Sequence, residues 1–81
     1  MFTVYSKPDC GFCEKAKSLL ESKQISYDEI IVANDKRAED GKKYVTVDEL
    51  RKLVPNVRSV PQIFRENEYI GGYDALRSML S

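Results

Sequence analysis

The chain has 81 residues, enough for one domain with one modest hydrophobic core. Its 13 acidic and 13 basic side chains cancel, so bulk charge does not favour nucleic acid or a membrane surface as a partner. No apolar run approaches a membrane span, and the N-terminus has no basic, apolar leader. These features predict a soluble, cytoplasmic monomer in which residues 1–81 form a single domain.

The first third of the chain predicts a βαβ unit. Phe2–Ser6 is rich in β-branched and aromatic residues and predicts a strand, which Lys7-Pro8-Asp9 ends. From Gly11 to about Lys23, helical spacing of the apolar residues Phe12, Ala16, Leu19 and Leu20 predicts an amphipathic helix. Tyr27–Val32 predicts a second strand, which should pair in parallel with the first because a helix connects them.

Residues 33–45 are rich in charged side chains and have almost no apolar period. We expect a solvated connection with one short helical turn before Gly41. A charged run of this kind usually forms a surface face. The alternative is that Arg37, Lys42 or Lys43 leans over the turn at residues 7–13.

The next segment predicts a capped helix. Thr46 and Glu49 have the spacing of a capping box, in which each side chain bonds an amide at the helix start. Pro55 ends the helix. Its expected buried stripe consists of Val47, Leu50, Leu53 and Val54.

The C-terminal part predicts a hairpin followed by a helix. The hairpin strands are Gln62–Arg65 and Glu68–Ile70, joined by a turn at Glu66-Asn67. Gly71-Gly72 connects the hairpin to the last helix, and Asp74 lies near the N-cap of that helix. The side chains expected to face inward are Tyr73, Leu76, Met79 and Leu80.

Cys10 and Cys13 form a Cys-x-x-Cys pair at the first strand-to-helix turn. A zinc site needs four ligands, and the chain has no histidine and no third cysteine, so zinc would require a second chain or exposed carboxylates. A structural disulfide closing so short a loop would add only about 2 kcal/mol. Two inert buried thiols are a further interpretation. In a cytosolic protein, the spacing favours a redox-active dithiol.

The whole pattern closely resembles the glutaredoxins, apart from residues 33–45. The resemblance lies in the order βαβαββα, in Cys10-x-x-Cys13, in Ser59-Val60-Pro61 before the third strand, and in Gly71-Gly72-Tyr73-Asp74 before the last helix. It implies an α/β, thioredoxin-like fold, with a four-stranded mixed sheet flanked by three helices. It also implies a glutathione-dependent thiol-disulfide oxidoreductase activity and a cis Val60-Pro61 bond.

Two departures from the family pattern concern the site. Many dithiol glutaredoxins have Pro-Tyr between the cysteines, whereas this chain has Gly11-Phe12, which looks like the monothiol branch. The second cysteine of that branch is serine, but here it is Cys13. Ala75 also replaces the second acid that usually follows Asp74 in the family.

Disulfide exchange requires a thiolate. A Cys-His ion pair is excluded because the chain has no histidine. The remaining sources of stabilisation are the amides of Phe12 and Cys13 at the helix N-terminus and the charge of Lys7. We expect an exposed Cys10 as the nucleophile and a Cys13 that faces the core and resolves mixed disulfides.

The resemblance also implies a glutathione site. The backbone of Val60, just before Pro61, would pair with the cysteinyl part. The turn at Gly72 and Tyr73, with the amides of the last helix, would hold the γ-glutamyl carboxylate, and Asp74 would take the amine. The candidates for the glycyl carboxylate are Lys7, Arg37 and Arg58, and Phe12 would form an apolar wall. Each of these residues also has a purely structural interpretation. Asp74 would cap the helix, Lys7 would be a solvated lysine, and Gly71-Gly72 would form a tight turn.

Three rival functions stay open. Two chains could share a [2Fe-2S] cluster through Cys10 and two glutathiones, because thiolates are suitable ligands for such a cluster. The protein could instead be a redoxin that thioredoxin reductase reduces and that donates electrons to ribonucleotide reductase. A non-enzymatic interaction domain is the third alternative.

Overall fold

A computed structural model describes residues 1–33 and 43–81. These residues contain five strands and three helices. In chain order they are β1 (Phe2–Ser6), α1 (Gly11–Ser22), β2 (Tyr27–Val32), β3 (Lys43–Val45), α2 (Val47–Leu53), β4 (Gln62–Arg65), β5 (Glu68–Gly71) and α3 (Tyr73–Leu80). In the described ranges, no helix is both long enough and apolar enough to cross a bilayer.

The strands form one mixed sheet in the order β3-β2-β1-β4-β5. As predicted, β1 pairs in parallel with β2, with Val4 opposite Glu29. β4 runs antiparallel to β1, with Ile63 opposite Val4, and it continues into the predicted hairpin with β5. The thioredoxin-like α/β fold is therefore confirmed.

The sheet differs from the predicted one by a fifth strand. Residues 43–45 were expected to be part of a solvated connection, but they form β3, parallel to β2, with Ile31 opposite Tyr44. This strand has only three residues, and its stability comes from the neighbouring backbone, with no alternating pattern of its own to reveal it. The helical turn expected before Gly41, and Arg37 and Lys42, lie outside the described residues.

One face of the sheet carries α1 and α3. Successive side chains of a strand point to opposite faces, so Val4 and Ile63 lie on this face while Tyr5 and Phe64 lie on the other. The core here consists of Phe2, Val4, Ala16, Leu20, Ile63 and Leu76. Within α1, Cys13 shares the buried stripe with Ala16 and Leu20, which fixes the orientation of the dithiol helix against the sheet.

The other face carries α2. The predicted capping box forms: Thr46 Oγ1 accepts from the Glu49 amide at 3.1 Å, and the Glu49 carboxylate accepts from the Thr46 amide at 2.8 Å. Leu50 packs with Tyr5 and Val54. The expectation that Leu53 is buried is wrong, because it is 54% exposed. Leu50 and Val54, about one helical turn apart, make the core contacts, and Leu53 lies to one side of them.

The last helix begins at Tyr73 with Gly72 as its N-cap, and no side chain makes a capping bond there. Asp74 is the second helical residue and is exposed, so its carboxylate remains available for other contacts. Leu76 is fully buried, as expected. Met79 was expected to face inward, but it is 41% exposed because the core contact of α3 is made by Leu76 and, in part, Leu80.

Candidate active site

Cys10 is the N-cap of α1. Its backbone is extended (φ −108°, ψ 109°), and its sulfur accepts a hydrogen bond from the Cys13 amide at 3.2 Å. Asp9 precedes it with φ 56°, a left-handed conformation that Asp tolerates better than most residues. The sulfur thus bonds the amide of the third helical residue. Of the two amides expected to do so, only that of Cys13 makes the bond among the described contacts; Phe12 does not.

The sulfur of Cys10 lies against a second segment of backbone. The Cys10 thiol donates to the Val60 carbonyl at 3.7 Å, and the Val60-Pro61 bond is cis, as the resemblance implies. Cys10 was expected to be exposed, but the residue is only 9% exposed, because the loop before β4 and the start of α1 enclose it. Cys10 is therefore enclosed although the residues on either side of it are exposed. Both cysteines are free thiols in this structure.

Cys13 is fully buried, as expected. Burial raises the pKa of its thiol to about 12, and the hydrogen bond with Cys10 acts in the same direction, whereas the Lys7 amide and the charge of Lys17 oppose the shift. Cys13 is therefore protonated at neutral pH. A buried, protonated thiol is a poor first nucleophile, so the geometry distinguishes the two cysteines in the predicted sense.

A cavity of about 640 Å³ adjoins the Cys10 turn. Its lining includes residues from three parts of the chain: Phe12, Ser59, Val60, Pro61, Gln62, Gly72, Tyr73, Asp74 and Ala75. Six of these are predicted glutathione-site residues. The fold thus brings the turn before β4 and the start of α3 together beside the dithiol.

A second cavity, of about 460 Å³, holds the other described candidates, Lys7 and Arg58. Ser59 and Val60 line both cavities, so the two adjoin the same loop, and we call them together the groove. The basic candidates line one part of this groove and Asp74 lines the other. Arg37, the remaining candidate, is outside the described residues.

Phe12 and Tyr73 form an aromatic wall on the first cavity. Their ring centroids are 6.1 Å apart, and the Lys15 ammonium lies 5.0 Å from the Phe12 ring centre. The spacing of Phe12 predicted that it belongs to the apolar stripe of α1. It does not lie in the buried stripe, because it is 57% exposed. An exposed ring at this position provides apolar contact surface beside the reactive sulfur.

Gln62 is a site residue that the sequence reasoning missed. Its side chain is largely buried; Nε2 donates to the Ser59 carbonyl at 2.7 Å, and Oε1 accepts from the Tyr69 hydroxyl at 2.5 Å. These bonds tie the loop that contains Val60 to the β4–β5 hairpin. A glutamine immediately after Pro61 at the start of a buried strand was the available signal.

Gly71 determines how the chain enters α3. Its φ is +130°, and a Cβ there would lie 3.0 Å from the Cβ of Ala75. No other residue type accepts both conditions without strain. At Gly71 the chain passes close to Ala75, and the next three residues, Gly72, Tyr73 and Asp74, line the first cavity.

The alternative functions that involve a metal are a zinc site and a shared [2Fe-2S] cluster. In the described ranges, no three or more His, Cys, Asp or Glu residues come together. A shared [2Fe-2S] cluster would use one Cys10 per chain, a residue that is 9% exposed. Its other ligands would have to come from glutathione, because the described side chains form no group of metal ligands by themselves.

Comparison with known proteins identifies the family. Residues 2–70 match the glutaredoxin family model. Glutaredoxin 1 of Rickettsia conorii is 40% identical over 73 residues, covering 90% of this chain and 65% of that protein. Glutaredoxin 3 of Escherichia coli K12 is 32% identical over 76 residues, covering 94% of this chain and 81% of that protein. The chain thus spans slightly less than two thirds of the Rickettsia relative.

Solved structures agree with this fold. Glutaredoxin 1 from Francisella tularensis, crystallised with cacodylate, superposes with a TM-score of 0.71 at 26% identity, covering 98% of this chain and 90% of that one. A buckwheat glutaredoxin–glutathione complex superposes at 0.65 with 21% identity, covering 98% of this chain and 66% of that one, a likeness of fold. The chain therefore belongs to the glutaredoxin family.

Proposed function

We propose that this protein is a glutathione-dependent thiol-disulfide oxidoreductase that reduces protein disulfides and protein–glutathione mixed disulfides through Cys10 and Cys13. The observation that carries the proposal is the helix-capping geometry of Cys10, whose sulfur accepts the Cys13 amide at 3.2 Å. A helix N-terminus favours negative charge on a group at this position. The same sulfur adjoins the Val60 carbonyl, which borders the groove.

In the proposed reaction, the Cys10 thiolate attacks a substrate disulfide R–S–S–R′. A bond forms between Cys10 and one sulfur, and the other leaves as a thiolate that takes up a proton from solvent. With a glutathione mixed disulfide as substrate, a second glutathione then attacks the Cys10–glutathione bond and releases oxidised glutathione. With a protein disulfide, Cys13 attacks the Cys10 sulfur and closes the Cys10–Cys13 disulfide.

Glutathione would lie along the groove formed by the two cavities. Its cysteinyl part would pair with the Val60 backbone, and its γ-glutamyl carboxylate would meet the amides at the start of α3 near Gly72 and Tyr73. Asp74, which is exposed and makes no capping bond, would take the amine. Lys7 and Arg58 line the second cavity, where the glycyl carboxylate would bind.

The setting we propose is the reducing cytoplasm, with residues 1–81 acting as a monomeric single domain. Disulfide-containing proteins are the substrates, and ribonucleotide reductase is one candidate among them. The competing redoxin hypothesis predicts reduction by thioredoxin reductase in place of glutathione. The groove supports glutathione because it offers cations in one part and an exposed carboxylate in the other.

A glutathione-coupled assay on a small mixed disulfide tests the proposal. Cys10→Ser should abolish the activity, since it removes the sulfur that caps the helix, while Cys13→Ser should keep it. With a protein disulfide as substrate, both variants should lose activity, because resolution requires Cys13. Equal loss of both activities in Cys13→Ser would contradict this division of roles.

The source of reducing equivalents is tested on the oxidised parent protein. Glutathione should reduce the Cys10–Cys13 disulfide, and thioredoxin reductase with NADPH should do so far more slowly. The reverse order would support the redoxin hypothesis and count against the proposed groove function.

A further inference from the structure

A group of charged and polar side chains lies on the Cys13 face of α1, away from the groove. The Lys17 ammonium contacts the Glu14 carboxylate at 2.5 Å and the Glu29 carboxylate at 2.8 Å. Glu29 also accepts from the Ser6 hydroxyl at 2.6 Å. We call Ser6, Glu14, Lys17 and Glu29 the Lys17 cluster. Its lysine side chain is only 19% exposed, so the positive charge is held in a fixed position.

The Lys17 cluster lies close to Cys13. Lys17 follows Cys13 by one helical turn, and side chains of a helix lean toward its N-terminus, which directs Lys17 back toward the cysteine. The Lys7 backbone lies near enough to Cys13 to lower the pKa of its thiol, and the preceding residue is Ser6, which is 1% exposed and donates to Glu29. The end of β1 therefore connects the sulfur and the cluster.

The resolving step requires the buried Cys13 thiol to ionise, and the positive charge of Lys17 favours that ionisation. Cys13 must become anionic to attack, yet burial and the neighbouring Cys10 raise its pKa. In the mixed disulfide, Cys10 is bonded to the substrate and carries no charge, so its opposing influence disappears. Burial then opposes ionisation, and the Lys7 amide and the Lys17 charge favour it.

We propose that Lys17 is a positioning residue for the resolving step, because its clamped ammonium stabilises the Cys13 thiolate while that thiolate forms. The inference rests on the proposed roles of Cys10 and Cys13. In the step, Cys13 loses its proton to solvent and its sulfur bonds to the Cys10 sulfur. The bond between Cys10 and the substrate sulfur breaks, and the substrate leaves as a thiolate with the electron pair.

The surroundings of the Lys17 cluster suit this role. A cavity of about 320 Å³ reaches it from the side of the Lys7-Pro8-Asp9 turn, and Glu14, Lys17 and Glu29 contribute to its wall. The two carboxylates keep the pKa of Lys17 above its usual value, so its charge persists at working pH.

Stopped-flow reaction of the reduced protein with excess dithionitrobenzoate (DTNB) tests the proposal, because each released thiolate absorbs visible light. The first thiolate reports attack by Cys10 and should appear at a rate proportional to DTNB concentration. The second reports resolution by Cys13 and should be independent of that concentration. Lys17→Met should slow the second phase about three- to tenfold, the size expected for one partly screened charge, and leave the first unchanged.

Two further variants give this result its meaning. Lys17→Arg keeps the charge and should restore the second phase to within about twofold of the parent. Lys23→Met removes the same charge from the exposed C-cap of α1 and should behave like the parent. If Lys17→Met does not fold, Lys17→Gln makes the same measurement, since it keeps a donor toward Glu29.

A second phase in folded Lys17→Met as fast as the parent's would overturn the proposal, and so would equal slowing of both phases. Failure of the underlying roles looks different. In that case the parent itself would release only one thiolate, or Cys10→Ser would react with DTNB like the parent. The two failures are therefore distinguishable in one experiment.

Discussion

At the scale of single residues, the positions of the loop atoms around Val60 depend on Gln62. Its amide bridges the Ser59 carbonyl and the Tyr69 hydroxyl, and it does so from a largely buried position at the start of β4. Ser59 and Val60 line both cavities of the groove. We therefore expect a substitution of Gln62 to weaken glutathione binding.

Gln62→Leu keeps the side-chain volume but removes both hydrogen bonds, leaving the Ser59 carbonyl without this donor. We expect the KM for glutathione to rise about three- to tenfold, with a smaller effect on kcat, because loop positioning contributes to binding. Steady-state kinetics in the glutathione-coupled assay measures both constants.

Tyr69→Phe is the matched control, because it removes only the bond to Oε1 and leaves the bond to Ser59. Its KM should stay within about twofold of the parent value. An unchanged KM in a folded Gln62→Leu protein would show that the loop needs no support from Gln62.

At the scale of helices and strands, α2 shows how a correct pattern can still misplace a side chain. The apolar spacing and the capping box predicted the helix, and both are present. Leu50 and Leu53 are three residues apart and therefore neighbours on one helical face, yet Leu50 is 2% exposed and Leu53 is 54% exposed. Leu50 and Val54 make the contacts with the core, and Leu53 lies to one side of them.

This difference gives a paired test of stability. Leu50→Ala should lower the free energy of unfolding by about 2–4 kcal/mol, because it opens a cavity beside Tyr5 and Val54. Leu53→Ala should lower it by less than about 1 kcal/mol, since most of that side chain already contacts water. Urea denaturation followed by circular dichroism measures both values. Similar losses for the two variants would contradict the assigned exposures.

At the scale of the whole molecule, the dithiol with the Lys17 cluster and the groove lie at different places on the sheet. The face with α1 and α3 carries the dithiol, its buried Cys13 and the Lys17 cluster. The groove crosses the end of the sheet, where the loop before β4 meets the starts of α1 and α3. Cys10, the proposed nucleophile, thus contacts Val60 of the groove, while Cys13, the proposed resolving cysteine, is fully buried.

The cluster hypothesis is tested on the intact protein. After anaerobic reconstitution with iron, sulfide and glutathione, we expect a colourless monomer by visible spectroscopy and size-exclusion chromatography. The reason is the enclosed Cys10 sulfur, which the Val60 loop covers. A coloured dimer that requires both Cys10 and glutathione would instead support a shared [2Fe-2S] cluster.

The sequence by itself determined the βαβ unit, the capped second helix, the hairpin, the last helix and the identity of the dithiol. These features depend on local periodicity, turn residues and spacing, which a chain expresses without reference to distant partners. It also separated a capping Cys10 from a core-facing Cys13, because their places on the first turn of one helix differ.

Only the tertiary structure decided the rest. β3 exists through pairing with β2, Cys10 is enclosed by a loop 50 residues away, and Leu53 and Met79 are exposed because neighbouring residues of their helices make the core contacts. The same holds for the bridge at Gln62 and for the contact between Lys17 and Glu29. Each depends on which distant segments the sheet brings together, and that is a property of strand order and register rather than of any local pattern.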